Sequence, residues 1–334
     1  MLISSMVVVS LGSVRSAAGR VQSVPGGLGF ATILSCTIFA AISGSSVATA
    51  MTIGATAIPQ MIRYGYRPRD TYGVIAAGGT LGILIPPSIV MVMYSVATNT
   101  SVGALFMAGV VPGLALAATL GGVTWYRARK FDYPRQPKAS IAERVKAFRE
   151  SVWGLLLIVV VMGGIYTGIF TPTEAAAMSA MYAFIVAVFV YKDMPLKDVP
   201  KVLLNSANMS AMLLYIITNA VLFSFIMTNE NIPQALADWM LGHGLGVIAF
   251  LLAVNVLLLL AGNFMEPSSI VLIFAPILFP VAMKLGIDPV HFGIIMVVNM
   301  EVGMCHPPVG LNLYVASGIT KMGIQHAVNV GKTI

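Results

Sequence analysis

The stretch "AAGGTLGILIPPS", residues 76–88, combines an apolar helix pattern with a forced helix break. Proline removes a backbone donor and clashes with the carbonyl four residues earlier, so Pro86 and Pro87 must interrupt the helix. Far downstream, "GMCHPPV", residues 303–309, carries the same pair at Pro307 and Pro308. In lipid, unwound backbone is tolerated only where protein or a water-filled cavity satisfies it. We therefore expect both breaks to serve a function.

The composition predicts an all-α polytopic membrane protein. The 334 residues are 58% hydrophobic and 9% charged, with a mean hydropathy of +0.90, whereas soluble domains contain roughly 25% charged residues. No charged residue or histidine occurs from Phe30 to Ile62 or from Thr71 to Tyr126, and about 20 apolar residues suffice to cross a bilayer. The apolar runs are continuous, unlike the alternating segments of a membrane barrel.

The charge distribution predicts the orientation. Eight of the 19 Lys and Arg lie between Arg127 and Arg149, which indicates a cytoplasmic loop. A nucleic-acid-binding tail is the competing interpretation, but the basic run is short and flanked by apolar spans, so no nucleic-acid partner is predicted. The segment 229–244 carries Glu230 and Asp238 and no Lys or Arg, which favours the external side. Cys36 and Cys305 lie in apolar segments and form no CxxC pattern.

Two uncharged blocks are predicted to be re-entrant hairpins. The block 26–62 is interrupted at "SGSS", 43–46, and has basic residues on both flanks, so it must enter and leave on one side. A second block, 245–283, breaks at "GNFMEPSS", 262–269. Each block is followed by one of the proline-broken helices.

The two halves match at a fixed offset. Adding 221 carries Pro59 to Pro280, Gly82 to Gly303 and Pro86 to Pro307. Four predicted spans separate the broken helices, so the second repeat must be inverted. The same symmetry predicts about two helices before this sequence and most of one after it. The four spans are 103–126, 152–170, 173–191 and 202–228.

These observations divide the chain into eight segments. Two of them, 26–98 and 245–317, each contain a hairpin plus a broken helix. The other segments are the end of a scaffold helix with its connector (1–25), a spanning helix (99–126), the basic cytoplasmic loop (127–151), scaffold helices (152–228), the external loop (229–244) and the start of an incomplete last helix (318–334).

A hairpin tip that faces a discontinuous helix is a transporter arrangement. The segments 26–98 and 245–317 are therefore the predicted transport domain. Freed carbonyls can coordinate Na⁺, and the hydroxyls of Ser43, Ser45 and Ser46 can complete an oxygen shell at the first tip. Asn263 and Ser268 would act in the same way at the second tip. The alternative is that small residues and kinks only permit close helix packing.

Three residues of the second repeat have two interpretations each, and a fourth residue, Glu174, is predicted to be structural. Glu266 and Glu301 lie within the second repeat, and an intramembrane carboxylate is a functional candidate by default; the alternative is a hydrogen-bonded carboxyl that holds the tip closed. For Glu266 both interpretations stay open, and for Glu301 the structural one is favoured. His306 binds substrate or, as we favour, caps a half-helix. Glu174, in "TPTE", 171–174, is predicted to complete a capping box.

The chain resembles the large membrane subunit of tripartite ATP-independent periplasmic (TRAP) transporters, the DctM-like proteins. The resemblance rests on "PGGLGFATILSCTIFAAISGSSVATAMTIGATAIP", "AAGGTLGILIPPS", "GIYTGIFTPTEAAA" and "NMEVGMCHPPVGLNLYV". The last of these looks closest to the C4-dicarboxylate branch.

The resemblance implies an elevator-type secondary transporter of the ion-transporter-superfamily kind, not an enzyme, in the bacterial inner membrane. Na⁺ would be the coupling ion, with no other cofactor. A small four-helix membrane subunit and a periplasmic substrate-binding protein would be its partners, and a small carboxylate its substrate.

The resemblance also implies three sites. The first Na⁺ site would use Ser43, Ser45 and Ser46 with backbone near Gly79, Thr80, Gly82 and Ile85. The second Na⁺ site would use Gly262, Asn263, Ser268, Gly303, Met304 and His306. The substrate would lie near Ser45, Pro87, Ser88, Ser268 and Asn312.

Two rival functions remain. The first is a stand-alone divalent-anion/Na⁺ symporter of the same architecture that needs no binding protein. The second is a membrane-embedded hydrolase using Ser45 or His306. It is disfavoured because a nucleophile and its base must lie together, whereas these two residues belong to opposite repeats and no GxSxG or HExxH motif is present.

Overall fold

The computed structural model describes residues 26–133, 141–192, 194–243, 246–306 and 310–320. Within these ranges every regular element is helical. The predicted N-terminal connector (1–25), the second proline pair (Pro307 and Pro308) and the residues from 321 onward of the predicted last helix lie outside the described residues.

The first repeat contains four helices, and a longer fifth follows it. Both predicted breaks are present: one between α1 and α2, the other between α3 and α4. The helices are α1 (Gly27–Ser43), α2 (Ser46–Arg63), α3 (Pro68–Leu84), α4 (Ile89–Thr98) and α5 (Val102–Lys130).

Four helices join the repeats, and four form the second one. The joining helices are α6 (Ile141–Tyr166), α7 (Pro172–Ile185, continued by a π turn over Val186–Val190), α8 (Val199–Asn229, preceded by a 3₁₀ turn over Leu196–Asp198) and α9 (Ile232–Gly242). The second repeat contains α10 (Val247–Gly262), α11 (Pro267–Lys284), α12 (Pro289–Met304) and α13 (Leu311–Thr320).

The chain is a multi-pass membrane protein. In the described part, five helical stretches have the length and apolar composition needed to cross a bilayer. They are Pro68–Thr98, which includes the break between α3 and α4, Val102–Lys130, Pro172–Val190, Leu196–Asn229 and Pro267–Lys284.

The helix boundaries reproduce the sequence repeat. Helix α2, Ser46–Arg63, and helix α11, Pro267–Lys284, begin and end 221 residues apart. The turns that follow them each contain a glycine in the left-handed region, with φ +79° at Gly65 and +75° at Gly286. The next helices then begin at Pro68 and Pro289, where proline fits the first helical turn. The two halves therefore share one order of helices.

The helices of the two repeats pack into one body. Its largest buried cluster takes Leu84 from α3, Ile270 from α11 and Phe292 from α12. The hydroxyl of Tyr94 on α4 donates to the carbonyl of Pro289 at 2.7 Å, which ties the repeats together. Most side chains of α8, by contrast, are exposed. The fold thus separates a densely packed body from peripheral apolar helices.

Two predicted loops are shorter than expected. The basic segment 127–151 is helical at both ends, because α5 continues to Lys130 and α6 begins at Ile141. Arg and Lys are good helix formers and are favoured at a helix C-terminus. Helix α5 therefore continues beyond the point where its sequence stops being apolar. The segment 229–244 contains α9, whose apolar residues recur with helical spacing.

The predicted capping box is confirmed. The hydroxyl of Thr171 accepts from the backbone N–H of Glu174 at 3.3 Å, while the carboxylate of Glu174 accepts from the N–H of Thr171 at 2.8 Å. Pro172 occupies the first turn. Glu174 therefore completes the cap at the start of α7, as the sequence predicted.

Candidate functional site

The first tip is seated against the break between α3 and α4. Gly44 ends α1 in the left-handed region, with φ +61°, which favours glycine. A Cβ there would lie 2.5 Å from the carbonyl oxygen of Pro87. The N–H of Ile89 donates to the carbonyl of Gly44 at 3.3 Å, and Ser45 caps α2 by accepting from the N–H of Ala48. A backbone hydrogen bond therefore joins the tip to the break.

Gly82 brings the tip backbone onto α3. A Cβ at this position would lie 2.5 Å from the carbonyl oxygen of Ser45 and 2.7 Å from the nitrogen of Ser46. Real Cβ atoms are not found this close to backbone. Glycine is therefore required here for steric reasons.

Neutral oxygens concentrate at this tip. The hydroxyls of Ser43 and Thr49 lie 3.0 Å apart, and that of Thr49 donates to the carbonyl of Ser45 at 2.8 Å. Hydroxyl and carbonyl oxygens are suitable ligands for a hard cation, so this donor set suits Na⁺. Thr49 was not among the predicted ligands, although its spacing of four residues from Ser45 places it on the same helix face.

Asn312 links the two repeats by hydrogen bonds. Its carboxamide oxygen accepts from the hydroxyl of Ser46 at 3.0 Å, and its nitrogen donates to the carbonyl of Ala76 at 3.0 Å. The side chain is fully buried. Asn312 was predicted to bind substrate; in this structure its amide is engaged with the first tip and α3.

The other residues predicted near the first tip have these surroundings. Ser88 is 1% exposed; it caps α4 and donates to the carbonyl of Ile83 at 2.5 Å. The hydroxyl of Thr80 donates to the carbonyl of Ala77 at 2.7 Å. Gly79 faces Ala50, and Ile85 follows the end of α3. At the first tip Gly44 therefore contacts Pro87 and Ser46 bonds to Asn312, while the Ser88 hydroxyl is already engaged.

The second tip repeats the glycine contact. A Cβ at Gly303 would lie 2.7 Å from the Cα of Gly262, so α10 and α12 cross at their backbones. Asn263 follows directly, and its carboxamide oxygen is buried without a hydrogen-bond partner among the described residues. A buried acceptor left unsatisfied is costly, and a cation would satisfy it. Met304 is buried beside this crossing.

The remaining predicted residues at the second tip make local hydrogen bonds. The carboxylate of Glu266 accepts from the N–H of Ser269 at 3.1 Å and from the hydroxyl of Ser268 at 2.9 Å, so it caps α11. Ser268 therefore bonds within its own tip. The Nδ1 of His306 lies 3.1 Å from the carbonyl of Val302, an arrangement that suits the capping role.

Glu301 is the least explained polar residue. Its side chain is 2% exposed, and neither carboxylate oxygen has a hydrogen-bond partner in the part of the chain that the structure describes. Cys305, one turn further, donates to the carbonyl of Ala76 on α3 at 3.5 Å, so this helix face points towards the first repeat. No hydrogen bond among the described residues explains the carboxylate, so both interpretations of Glu301 stay open.

A comparison with known families decides the class of protein. A family model described as "Tripartite ATP-independent periplasmic transporter, DctM component" matches residues 11–331. The chain belongs to the DctM family. The resemblance carried by the glycine, proline and tip motifs is thereby confirmed.

Curated relatives of this DctM chain are named as transporter permeases. A "C4-dicarboxylate TRAP transporter large permease protein DctM" of Rhodobacter capsulatus is 68% identical over 90% of this chain and 71% of its own length. The protein of that name from Pseudomonas aeruginosa is 56% identical over 90% and 71%. The "Sialic acid TRAP transporter large permease protein SiaM" of Vibrio cholerae is 38% identical over 90% and 70%. This DctM chain is therefore a transporter subunit and not an enzyme.

The close contact at Gly82 predicts that Gly82→Ala lowers the stability of this DctM chain. Because the new Cβ meets backbone and not a flexible side chain, the tip must shift, at a cost of about 1–3 kcal/mol. We expect a lower thermal midpoint for the purified protein, measured by light scattering or tryptophan fluorescence.

Gly122→Ala is the matched control, because a Cβ there meets nothing within 4 Å. It should leave the midpoint unchanged or raise it, since alanine is the better helix former. Equal midpoints for the two variants would contradict the seated tip.

Proposed function

We propose that the chain is the large permease subunit of a Na⁺-coupled TRAP transporter for C4-dicarboxylates in the bacterial inner membrane. The observation that supports this proposal most is the ranking of the relatives by sequence identity. Those named for C4-dicarboxylates are 68%, 56% and 48% identical, whereas those named for isethionate and sialic acid are 43% and 38% identical. The tip oxygens support the Na⁺ coupling.

We propose two Na⁺ sites, one at each tip. At the first tip, Ser43 and Thr49 hydroxyls and the Ser45 carbonyl supply neutral oxygens. At the second tip, the unpaired oxygen of Asn263 lies beside the Gly262–Gly303 crossing. Bound Na⁺ offsets carboxylate charge that would be costly to move through the bilayer alone. Substrate between the tips would therefore bind and cross together with the cations.

The packing supports an elevator movement. The second hairpin shares one core with parts of both broken helices, and the first hairpin forms a second core with α3. The hydrogen bonds Ser46–Asn312 and Tyr94–Pro289 join the two repeats. Such a body can move as a unit, because a close-packed interior deforms little. The peripheral helices α6 to α8 would form the scaffold. Their exposed apolar side chains offer a surface for lipid and for the small four-helix membrane subunit.

The proposed function first predicts substrate uptake that requires the permease, its small membrane subunit, the binding protein and Na⁺. Proteoliposomes containing the full-length permease and its small membrane subunit should accumulate labelled succinate when an inward Na⁺ gradient and the periplasmic binding protein are both supplied. The binding protein delivers the substrate and Na⁺ drives the movement. Replacing Na⁺ by choline outside, at equal ionic strength, is the control.

Each other outcome has a definite meaning. Uptake with Na⁺ but independent of the binding protein would overturn the tripartite assignment in favour of the stand-alone symporter. Uptake of another acid in place of succinate would overturn only the substrate class. Uptake that persists without Na⁺ would contradict the coupling.

The second prediction concerns the tip oxygens. Thr49→Val and Asn263→Ala each remove one oxygen from a proposed Na⁺ site. We expect the Na⁺ concentration for half-maximal uptake to rise about tenfold for each, because a hydrogen-bonding group that serves a charge contributes roughly 1.5–3 kcal/mol.

Thr119→Val and Asn255→Ala are the controls. Among the described residues, each side chain bonds to the carbonyl four residues earlier, that of Ala115 or Leu251. These variants should keep the wild-type Na⁺ dependence. A Na⁺ dependence that is unchanged in Thr49→Val and Asn263→Ala as well would show that the tips are not the cation sites.

A further inference from the structure

A cavity of about 160 Å³ lies among α1, α2, α3 and α5, away from both tips. Its deeper wall is apolar and includes Ile33, Val74 and Leu120. Its polar groups come from the ends of these helices, with Asp70 in the first turn of α3 and Arg127 in the last turn of α5. The positive-inside pattern assigns this end to the cytoplasmic side.

The carboxylate in the cavity is already satisfied. Asp70, 7% exposed, forms an ion pair with Arg127 and accepts a hydrogen bond from the hydroxyl of Tyr133. Tyr133 follows the end of α5, and burial together with the neighbouring Asp70 raises its pKa to about 12. Its phenol therefore stays protonated and keeps donating to Asp70 at neutral pH. This ion pair leaves other donors in the cavity without an acceptor.

Two donors remain. The Nε of Arg127 and the hydroxyl of Tyr66 are buried and find no hydrogen-bond partner among the residues described. Tyr66 is 4% exposed and stacks on Tyr133, with ring centroids 4.2 Å apart. Its hydroxyl lies beside the N-terminal turn of α1, near the N–H groups of Leu28 and Gly29. Unpaired N–H and O–H groups beside a helix N-terminus favour an anion.

The surroundings of the cavity have the chemistry of a membrane interface. The guanidinium of Arg67 lies 3.8 Å from the ring centroid of Phe131, and that of Arg129 lies 4.1 Å from the Trp125 ring. Val123, which lines the cavity, and Tyr126 are 51% and 62% exposed. Basic and aromatic side chains at this level are typical of contact with headgroups on the cytoplasmic side.

We propose that this cavity binds the phosphate of an anionic phospholipid, with Tyr66 and Arg127 as donors and an acyl chain along Val123. A lipid is favoured over free phosphate because the walls are apolar and continue onto an exposed apolar surface. Basic pockets between helices on this side of a membrane are suited to such headgroups. The site is independent of the proposed transport function.

The test is a thermal-unfolding titration of the purified full chain in neutral detergent. Dioleoylphosphatidylglycerol should raise the midpoint more than equal amounts of dioleoylphosphatidylcholine, and sodium phosphate should not replace it. Tyr66→Phe keeps the stacking but removes the donor, so the half-saturating lipid concentration should rise about tenfold. Tyr64→Phe, at an exposed position in the same turn, is the control.

A second variant should change the affinity for the anionic lipid in the opposite direction. Asp70→Asn keeps an acceptor for Tyr133 but removes the negative charge that competes for Arg127. It should bind the anionic lipid more tightly than wild type, which a purely structural role for Asp70 would not produce. Equal stabilisation by both lipids, stabilisation by phosphate alone, or no change in Tyr66→Phe would each overturn the proposal. Because no readout involves uptake, failure here leaves the transport proposal unaffected.

Discussion

The close contact between each hairpin tip and its broken helix is the constraint on which the site depends. Gly82 admits the backbone of Ser45 and Ser46, and Gly303 admits that of Gly262, with no room for a Cβ at either place. Only when the backbones meet in this way can freed donors and acceptors find partners inside the protein. The Ile89–Gly44 hydrogen bond is the direct example.

The same contact brings polar oxygen atoms to the segments where the helices are interrupted. A regular helix uses its own carbonyls, but at a break they are available to neighbours. At the first tip the carbonyl of Ser45 lies beside the hydroxyls of Ser43 and Thr49. At the second tip the unpaired oxygen of Asn263 directly follows the Gly262–Gly303 crossing. The Ser46–Asn312 hydrogen bonds link the first tip to the other repeat. A cation bound at a tip would therefore stabilise contacts within the whole packed body.

Much of this fold could be predicted because proline and glycine act locally. Pro86, Gly44 and the offset of 221 fix where helices break and resume, and α2 and α11 follow that offset from end to end. The ends of α5 and α6 could not be predicted, because loss of apolar character marks the membrane boundary and not the helix end. The hydrogen bonds of Asn312 could not be predicted, because they join segments that are distant in the sequence; its substrate contact stays a prediction. Thr49 was overlooked although its contacts with Ser43 and Ser45 are local.

Hydrogen exchange of the purified protein, in Na⁺ and in choline at equal ionic strength, tests most directly whether cations bind at the tips. Cation binding should slow exchange of the backbone amides at residues 43–49, 85–89 and 262–266, because bound Na⁺ rigidifies the unwound segments. Residues 152–190, in the peripheral helices, should exchange alike in both salts. Equal exchange at the tips in Na⁺ and choline would contradict the account.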